Sequence, residues 1–178
     1  MLSHPPVTLR TAEPGEHLVQ VPAIAASAGQ MGLVVVSDDR ARMCLMRHMA
    51  GLSRSPALGW SVEGAEATPQ SHTTSQGEVQ YGLIYENAET QLSGLFDGVA
   101  SELVLPLAVS GTSRAQQALA LEYQLGVWGL TLKRQSGLAD LSDGQRQRLL
   151  LASMLLANND VLLCDGILGY IDPTARVR

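Results

Sequence analysis

The stretch LSDGQRQRLLLASMLLANNDVLLCDGILGYIDPTAR, residues 141–176, decides the fold. Its first part predicts a helix, because Ser142 followed three residues later by Gln145 is the pattern of a capping box. The residues that follow are mostly Leu, Ala, Met, Arg and Gln, which are good helix formers. Asn158 and Asn159 then end the predicted helix.

The residues after this helix predict a strand and a turn. Val161–Asp165 is a short apolar run that ends in a carboxylate, as expected for a strand buried on both faces of a parallel sheet. Open α/β sheets bind their ligands at the carboxyl ends of the strands, so Asp165 lies at a candidate ligand site. Gly169–Pro173 has the composition of a turn with an exposed acid, Asp172.

This order of segments resembles the ATP-binding cassette (ABC) ATPases, and most closely the energy-coupling-factor (cobalt-type) importers. Leu141–Gln145 is similar to the family signature LSGGQ, with Asp143 at its third position. Asp165 falls on the Walker B aspartate, a candidate Mg²⁺ ligand, and Asp172 falls in the D-loop. The signature, the helix after it, the Walker B aspartate and the D-loop follow each other in the correct order and spacing, which makes the match specific.

The resemblance implies an α/β fold with a P-loop NTPase-like (RecA-type) parallel sheet core. An N-terminal antiparallel β part and an inserted α-helical subdomain, at about residues 93–147, accompany that core. Residues 1–178 are predicted to form a single nucleotide-binding domain from which the last strands of the family fold are missing. The family's switch histidine lies on one of those strands, and the histidines of this chain all come too early to replace it: His4, His17, His48 and His72.

Composition limits the function further. Hydrophobic residues make up 46% of the chain and charged residues 16%, which is typical of a globular protein. The net charge of −5 argues against a nucleic-acid-binding surface. No run reaches the roughly 18 apolar residues of a membrane span, and Met1–Pro6 lacks the features of a signal peptide. Cys44 and Cys164 lie in apolar surroundings and are predicted to be small buried residues, so we expect a cytoplasmic protein that reaches the membrane only through partners.

The N-terminal third predicts a peripheral antiparallel sheet and then a buried strand. Val7–Leu9 and Leu18–Val21 suit the sheet, and Gly32–Val36 suits the buried strand. In the ABC family this region carries an aromatic residue that stacks on adenine. The first aromatic residue here is Trp60, so this contact is predicted to be absent.

The segment after Gly32–Val36 occupies the place of the family's phosphate-binding loop, before a helical run at Leu45–Leu52. The alignment places Arg42 at the P-loop lysine, and Met43 and Cys44 at the hydroxyl-bearing pair. The predicted degenerate phosphate loop comprises Ser37, Asp38, Asp39, Arg40, Ala41, Arg42, Met43 and Cys44.

The chemistry of this segment is unsuited to phosphate. A P-loop needs glycines whose amides wrap the phosphates and a hydroxyl for Mg²⁺, but valine, aspartate and alanine occupy the glycine positions. Two like charges about 4 Å apart repel by about 4 kcal/mol at an effective dielectric near 20, and Arg is not equivalent to Lys in a tight cradle. We therefore expect a solvated, self-paired turn made by Asp38, Asp39, Arg40 and Arg42 rather than a phosphate site.

A Q-loop is predicted after a strand at Val79–Tyr85. Asn87, Gln91 and Leu92 match the importer form of this loop, whereas Glu86 replaces the glutamine that contacts Mg²⁺ and the attacking water. Glutamate can also bind Mg²⁺, and a solvated loop acid is an equally good interpretation.

The helical subdomain is predicted from two stretches with helical spacing, Phe96–Leu107 and Arg114–Leu130, with breaks at Pro106 and Gly111. In the family, the groove between this subdomain and the Q-loop receives a helix of the membrane partner. The two acids of this region, Asp97 and Glu102, are candidates for the rim of that groove, and a solvated helix face is the alternative.

Nucleotide sites of this family are shared by two subunits in a head-to-tail dimer, and only one half of such a site is conserved here. The signature half keeps a helix N-terminus with amides and a hydroxyl for ATP bound in trans: Ser142, Asp143, Gly144 and Gln145. The catalytic half is lost, since Gly166 stands where the family has its catalytic glutamate and glycine cannot act as a general base. Asp165 could still hold Mg²⁺, or it could be a capped acid at the end of a strand.

The sequence therefore predicts a degenerate ABC subunit with no independent ATPase activity. It would donate its signature to an intact ABC ATPase in a heterodimer, bound to a transmembrane transporter component. ATP and Mg²⁺ would bind weakly or only at the shared interface. Two alternatives stay open: a non-catalytic interaction or regulatory module, and a fragment of a longer ABC ATPase. The fragment would explain the end at Arg178, but not Gly166 or Arg42.

Overall fold

The computed structural model describes residues 2–4, 7–10, 18–27, 29–50, 61–62, 65–66, 73–74, 77–78, 81–85 and 87–166. The chain divides into two compact units, Met1–Val79 and Gln80–Arg178. Within the described residues, no helix is long and apolar enough to cross a membrane. The assignment of residues 1–178 to one family domain stays a prediction.

The described residues of the first unit form short antiparallel strands and one helix. Its elements are β1 (Leu2–His4), β2 (Val7–Arg10), β3 (Leu18–Val21), β4 (Ile24–Ala26), α1 (Asp39–Met49), β5 (Ser61–Val62), β6 (Ala65–Glu66), β7 (Thr73–Thr74) and β8 (Gly77–Glu78). One sheet has the order β4-β1-β5-β6, and β2-β3 and β7-β8 form two-stranded ribbons. All of these pairs are antiparallel, which confirms the predicted N-terminal antiparallel part.

The strand predicted at Gly32–Val36 is not formed. These residues pair with no strand in the described part of the unit, and Leu33 and Val35 are 79% and 85% exposed. Their β-branched, apolar composition favours a strand, but a strand also needs a neighbour that satisfies its backbone groups. Composition alone supplied no information on that neighbour, so the prediction was wrong.

Helix α1 begins earlier than the predicted run at Leu45–Leu52. Asp38 is its N-cap, and its carboxylate accepts a hydrogen bond from the backbone N–H of Ala41. The buried side chains of α1 recur every three or four residues and so form one face: Ala41, Leu45, Met46, His48 and Met49.

In the second unit, the described part of the chain contains two parallel strands and three helices. Its elements are β9 (Tyr81–Ile84), α2 (Val99–Val109), α3 (Arg114–Val127), α4 (Asp143–Leu156) and β10 (Val161–Cys164), with short 3₁₀ turns at Thr131–Lys133 and Leu138–Asp140. β9 and β10 pair in parallel with Tyr81 opposite Val161 and Ile84 opposite Cys164. The predicted parallel strand before Asp165 and the helical insertion are thus both present.

The helices α2, α3 and α4 pack on a common apolar core. Its fully buried members include Leu103 from α2, Leu125 from α3 and Leu149 from α4. A second cluster joins the other side of α4 to β9, through Leu150 and Ile84. Each fully buried leucine contributes about 1.5–3 kcal/mol relative to exposure. Because α4 contributes buried residues to both clusters, it links the sheet to the other two helices.

Helix α2 differs from its prediction at both ends. It starts at Val99, three residues later than Phe96, and continues through Pro106 to Val109 instead of breaking there. A proline lacks the N–H that would bond to the carbonyl four residues earlier. Here that carbonyl, on Glu102, accepts a hydrogen bond of 3.4 Å from the Ser153 hydroxyl of α4. Packing against α4 therefore offsets part of the cost of Pro106.

Candidate functional site

The predicted phosphate loop contains a helix start that is capped by its own aspartate. The Asp38 carboxylate lies 2.8 Å from the backbone nitrogen of Ala41 in the first turn of α1. Phosphates bind at helix N-termini through these same amides. At α1 a carboxylate already occupies the position in which an anion would accept that hydrogen bond.

The neighbouring charges of this segment pair with each other. The Arg42 guanidinium lies 3.3 Å from the Asp39 carboxylate, whose side chain is 90% exposed. The self-pairing expected from the sequence is present between Asp39 and Arg42, whereas Asp38 caps the helix and Arg40 is exposed. Such an exposed ion pair contributes at most about 1 kcal/mol to stability.

The residues at the hydroxyl positions offer no oxygen ligand from their side chains. Met43 is exposed, and burial raises the pKa of the Cys44 thiol despite the opposing effect of Arg47. The thiol therefore stays protonated at neutral pH. Mg²⁺ prefers oxygen ligands, so Met43 and Cys44 cannot replace the hydroxyl that binds Mg²⁺ in the family.

The predicted signature turn forms the capped start of α4. Ser142 is the N-cap: its hydroxyl accepts a hydrogen bond of 3.4 Å from the Gln145 amide, and its own N–H donates to the Gln145 side chain at 2.9 Å. The capping box predicted from the sequence is confirmed. The amides of Asp143 and Gly144 lie in the first turn, where the backbone N–H groups of a helix lack carbonyl partners within that helix.

Arg146 joins the signature turn to the segment that follows β9. Its guanidinium lies 3.5 Å from the Asp143 carboxylate and 3.9 Å from the Glu89 carboxylate. It also donates hydrogen bonds to the carbonyls of Leu138 and Ala139. This role of Arg146 was not predicted from the sequence, although an acid and an arginine three residues apart on a helix are a usable signal.

The described part of the predicted Q-loop is fixed to β9. The Gln91 side chain accepts a hydrogen bond from the Tyr85 amide at 2.6 Å and donates one to the Leu83 carbonyl at 2.8 Å. Asn87 accepts a hydrogen bond from the Glu89 amide and so shapes the turn. The loop leaves the strand end where β10 also ends, as ligand-binding loops of parallel sheets do.

Glu102 was expected at the rim of a solvated groove, but it is 4% exposed. Both of its carboxylate oxygens accept hydrogen bonds from Ser93, one from the backbone N–H and one from the hydroxyl. Asp97 is exposed, as expected for a rim residue. A buried carboxylate needs such partners, and no local pattern marks Ser93 as the residue that provides them.

Asp165 and Gly166 follow the end of β10. Asp165 is buried, and its backbone N–H donates to the Ile84 carbonyl at 2.7 Å, which extends the parallel ladder by one residue. Gly166 has a φ of +67°, a left-handed conformation that disfavours side-chain-bearing residues. Cys164, predicted to be buried, is exposed at the strand end, and partial burial of its thiol raises its pKa.

Two predicted site residues, Glu86 and Asp172, lie outside the described residues. Of those that are described, residues 37–44 belong to the first unit, and Ser142–Gln145, Asp165 and Gly166 belong to the second. Among the described residues, no three His, Cys, Asp or Glu side chains form a group able to hold a metal ion.

Curated relatives of the chain are ATP-binding proteins. It is 31% identical over 151 residues to the methionine import ATP-binding protein MetN 1 of Yersinia pestis, covering 82% of this chain and 42% of that protein. It is 35% identical over 142 residues to the methionine import ATP-binding protein MetN of Chromohalobacter salexigens, covering 79% and 40%. The chain thus spans about two fifths of the length of these relatives. No family model matches it.

Solved structures of similar fold are ABC cassettes. CbiO1 of Clostridium perfringens, part of the ABC transporter complex CbiONQ, superposes with a TM-score of 0.73 at 13% identity, covering 98% of this chain and 68% of that one. The bacterial ABC transporter cassette MJ0796, solved as a dimer, gives a TM-score of 0.71 at 15% identity, covering 99% and 78%. At this identity the likeness establishes the fold: a P-loop cassette with a parallel sheet core.

Proposed function

Because the chain is an ABC-type nucleotide-binding domain, we propose that it is a catalytically silent subunit that lends its signature turn to the ATP site of an intact partner ATPase. The observation that carries this proposal is the contrast between two helix starts. The amide end of α1 is capped by the carboxylate of Asp38, whereas that of α4 is capped by the neutral hydroxyl of Ser142. Only the second is compatible with a triphosphate.

The first helix start supports a loss of nucleotide binding in cis. A phosphate near α1 would have to displace the Asp38 carboxylate from the Ala41 amide and approach Asp39 as well. Arg42 is already paired with Asp39 at 3.3 Å, so its charge is partly cancelled. Calorimetric titration of the isolated chain with Mg-ATP is therefore expected to detect no tight binding at the start of α1.

The end of β10 supports a loss of hydrolysis. Asp165 fits the family's Mg²⁺ ligand by type and position, but Gly166 has no side chain that could take a proton from water. The left-handed backbone at Gly166, with φ +67°, also disfavours a glutamate at that position. Installing a glutamate there is therefore not expected to restore ATPase activity.

The start of α4 supports donation in trans. The amides of Asp143 and Gly144 and the hydroxyl hydrogen of Ser142 would hold the terminal phosphate of ATP bound by the partner. In that shared site, ATP would supply the negative charge that joins the two subunits, and Mg²⁺ would be held by the partner's residues. The relatives named as methionine import proteins, and CbiO1 as part of a transporter complex, support a role beside a transmembrane component in import.

The experiment compares two serines that play the same structural role. Ser113 caps α3 with Gln116 in a capping box like that of Ser142 and Gln145. Ser142→Arg and Ser113→Arg should therefore cost similar stability, about 1 kcal/mol each. The ATPase rate of each variant is measured in a mixture with an intact ABC ATPase from the same organism.

The expected result is that Ser142→Arg lowers the rate of the mixture at least about tenfold, equivalent to about 1.4 kcal/mol, while Ser113→Arg leaves it unchanged. Equal rates for both variants would contradict the donated signature. In that case the non-catalytic interaction module becomes the better account, because the capped start of α1 also fits a cassette released from nucleotide binding.

A further inference from the structure

The signature turn carries a negative charge where the proposed function needs an anion to bind. Asp143 is the first residue of α4, and its side chain is 82% exposed. A carboxylate beside a helix N-terminus competes with an incoming phosphate for the same amides and the same field. Unless another charge compensates for it, Asp143 would weaken the contact that Ser142 and Gly144 make.

The compensating charge is held in place independently of Asp143. The Arg146 side chain is 19% exposed, and its Nε and Nη2 atoms lie 3.3 Å and 3.4 Å from the carbonyl oxygens of Leu138 and Ala139. These two contacts orient the planar guanidinium, so its remaining nitrogen, Nη1, faces both Asp143 and Glu89. A lysine has no planar fork and could not make this set of contacts.

We propose that Arg146 is the positioning residue of the donated signature: it neutralises Asp143 and ties the turn at Asn87–Leu92 to the start of α4. The inference rests on the proposed function and adds a residue to it. Because Nη1 is shared between carboxylates of two segments, a phosphate that displaces Asp143 leaves Arg146 still paired with Glu89. Phosphate binding at the signature is thereby coupled, through Arg146, to the loop that follows β9.

An ordinary exposed ion pair contributes little free energy. The experiment must therefore distinguish such a pair from an arginine that neutralises Asp143 for phosphate binding. Amide resonances of Asp143 and Gly144 are followed by NMR while inorganic phosphate is added to the isolated chain at low ionic strength. The variants are Arg146→Gln, Asp143→Asn and the double variant. The control is Arg134→Gln, which removes the exposed pair between Arg134 and Glu122 of the same unit.

The expected result is a specific pattern of rescue. Arg146→Gln raises the Kd for phosphate about fivefold, equivalent to about 1 kcal/mol, because Asp143 is no longer neutralised. The double variant returns to within about twofold of the parent, since the charge that needed compensation is gone. Arg134→Gln has no effect. A loss that only reflects loosening of α4 would not be rescued by removing the charge of Asp143.

Three results would overturn the inference: no phosphate shift in the parent turn, no effect of Arg146→Gln, or no rescue in the double variant. The mixture with an intact ATPase separates this failure from failure of the proposed function. There, Arg146→Gln is expected to raise the KM for ATP with kcat unchanged, again with rescue. If the phosphate pattern is observed but Ser142→Arg leaves the ATPase rate of the mixture unchanged, the proposed function fails and the role of Arg146 in the turn stands.

Discussion

Removing the buried carboxylate of Glu102 should destabilise the second unit more than any exposed charge does. Glu102 is 4% exposed, and both of its oxygens accept hydrogen bonds from Ser93. A hydrogen bond to a charged group contributes about 1.5–3 kcal/mol, and an unpaired buried donor costs about 1–3 kcal/mol. Ser93 is itself exposed, so water offsets part of the loss. We expect Glu102→Ala to lower the free energy of unfolding by about 2–3 kcal/mol, and Glu102→Gln by about 1 kcal/mol, because the amide keeps one acceptor.

The assay is urea unfolding followed by tryptophan fluorescence. The chain has 2 tryptophans, and a Trp60→Phe background leaves Trp128, which packs against the core of α2, α3 and α4. Glu122→Gln is the control: Glu122 pairs with Arg134 on the surface, and its loss should change stability by less than about 0.5 kcal/mol. Equal unfolding free energies for Glu102→Ala and Glu122→Gln would refute the claim that the Ser93 contacts hold the segment in place.

Two further predictions concern close packing and pH. A methyl group on Gly82 would come within 2.6 Å of the Asn159 side-chain nitrogen, whereas one on Gly126, in α3, would meet nothing within 4 Å. Gly82→Ala should therefore lower the free energy of unfolding in urea by about 1–3 kcal/mol. Gly126→Ala should raise it by up to about 1 kcal/mol. Equal effects of the two substitutions would contradict this packing. Burial raises the pKa of the Cys164 thiol above 9.0, so its stabilising contribution is full below pH 9.0 and is lost as the pH rises through the folded-state pKa. In a Cys44→Ala variant, the rate of alkylation by iodoacetamide should reach half its maximum at a higher pH in the folded chain than in urea, and identical pH profiles would contradict the assignment.

The best-predicted elements were those whose signals are short in sequence. The capping box of Ser142 and Gln145, the helix formers after it and the apolar run ending at Asp165 each lie within a few residues, and all three are present. The turn at Asp38–Arg42 could also be predicted, because its charged residues are close together in the sequence. Local hydrogen bonding fixes such features before any tertiary contact is considered.

The features that were missed depend on contacts between distant residues. Gly32–Val36 has the composition of a strand but no partner in the described residues. Glu102 has the charge of a surface residue, yet Ser93 satisfies both of its oxygens. Helix α2 continues through Pro106, and the Glu102 carbonyl that the proline leaves free accepts a hydrogen bond from Ser153, 51 residues away in sequence. None of these partners is marked by spacing or composition.

The run Met31–Val36 precedes α1 and pairs with no strand among the described residues, and this affects how the chain behaves in concentrated solution. Met31–Val36 contains no charge and no proline, and Met31, Leu33 and Val35 are each more than three quarters exposed. Short segments of this kind template intermolecular β-sheet and are a recognised origin of aggregates. A lysine in place of Val35 would act as a gatekeeper against that outcome, and it is the substitution we would make first to keep preparations of this chain in solution.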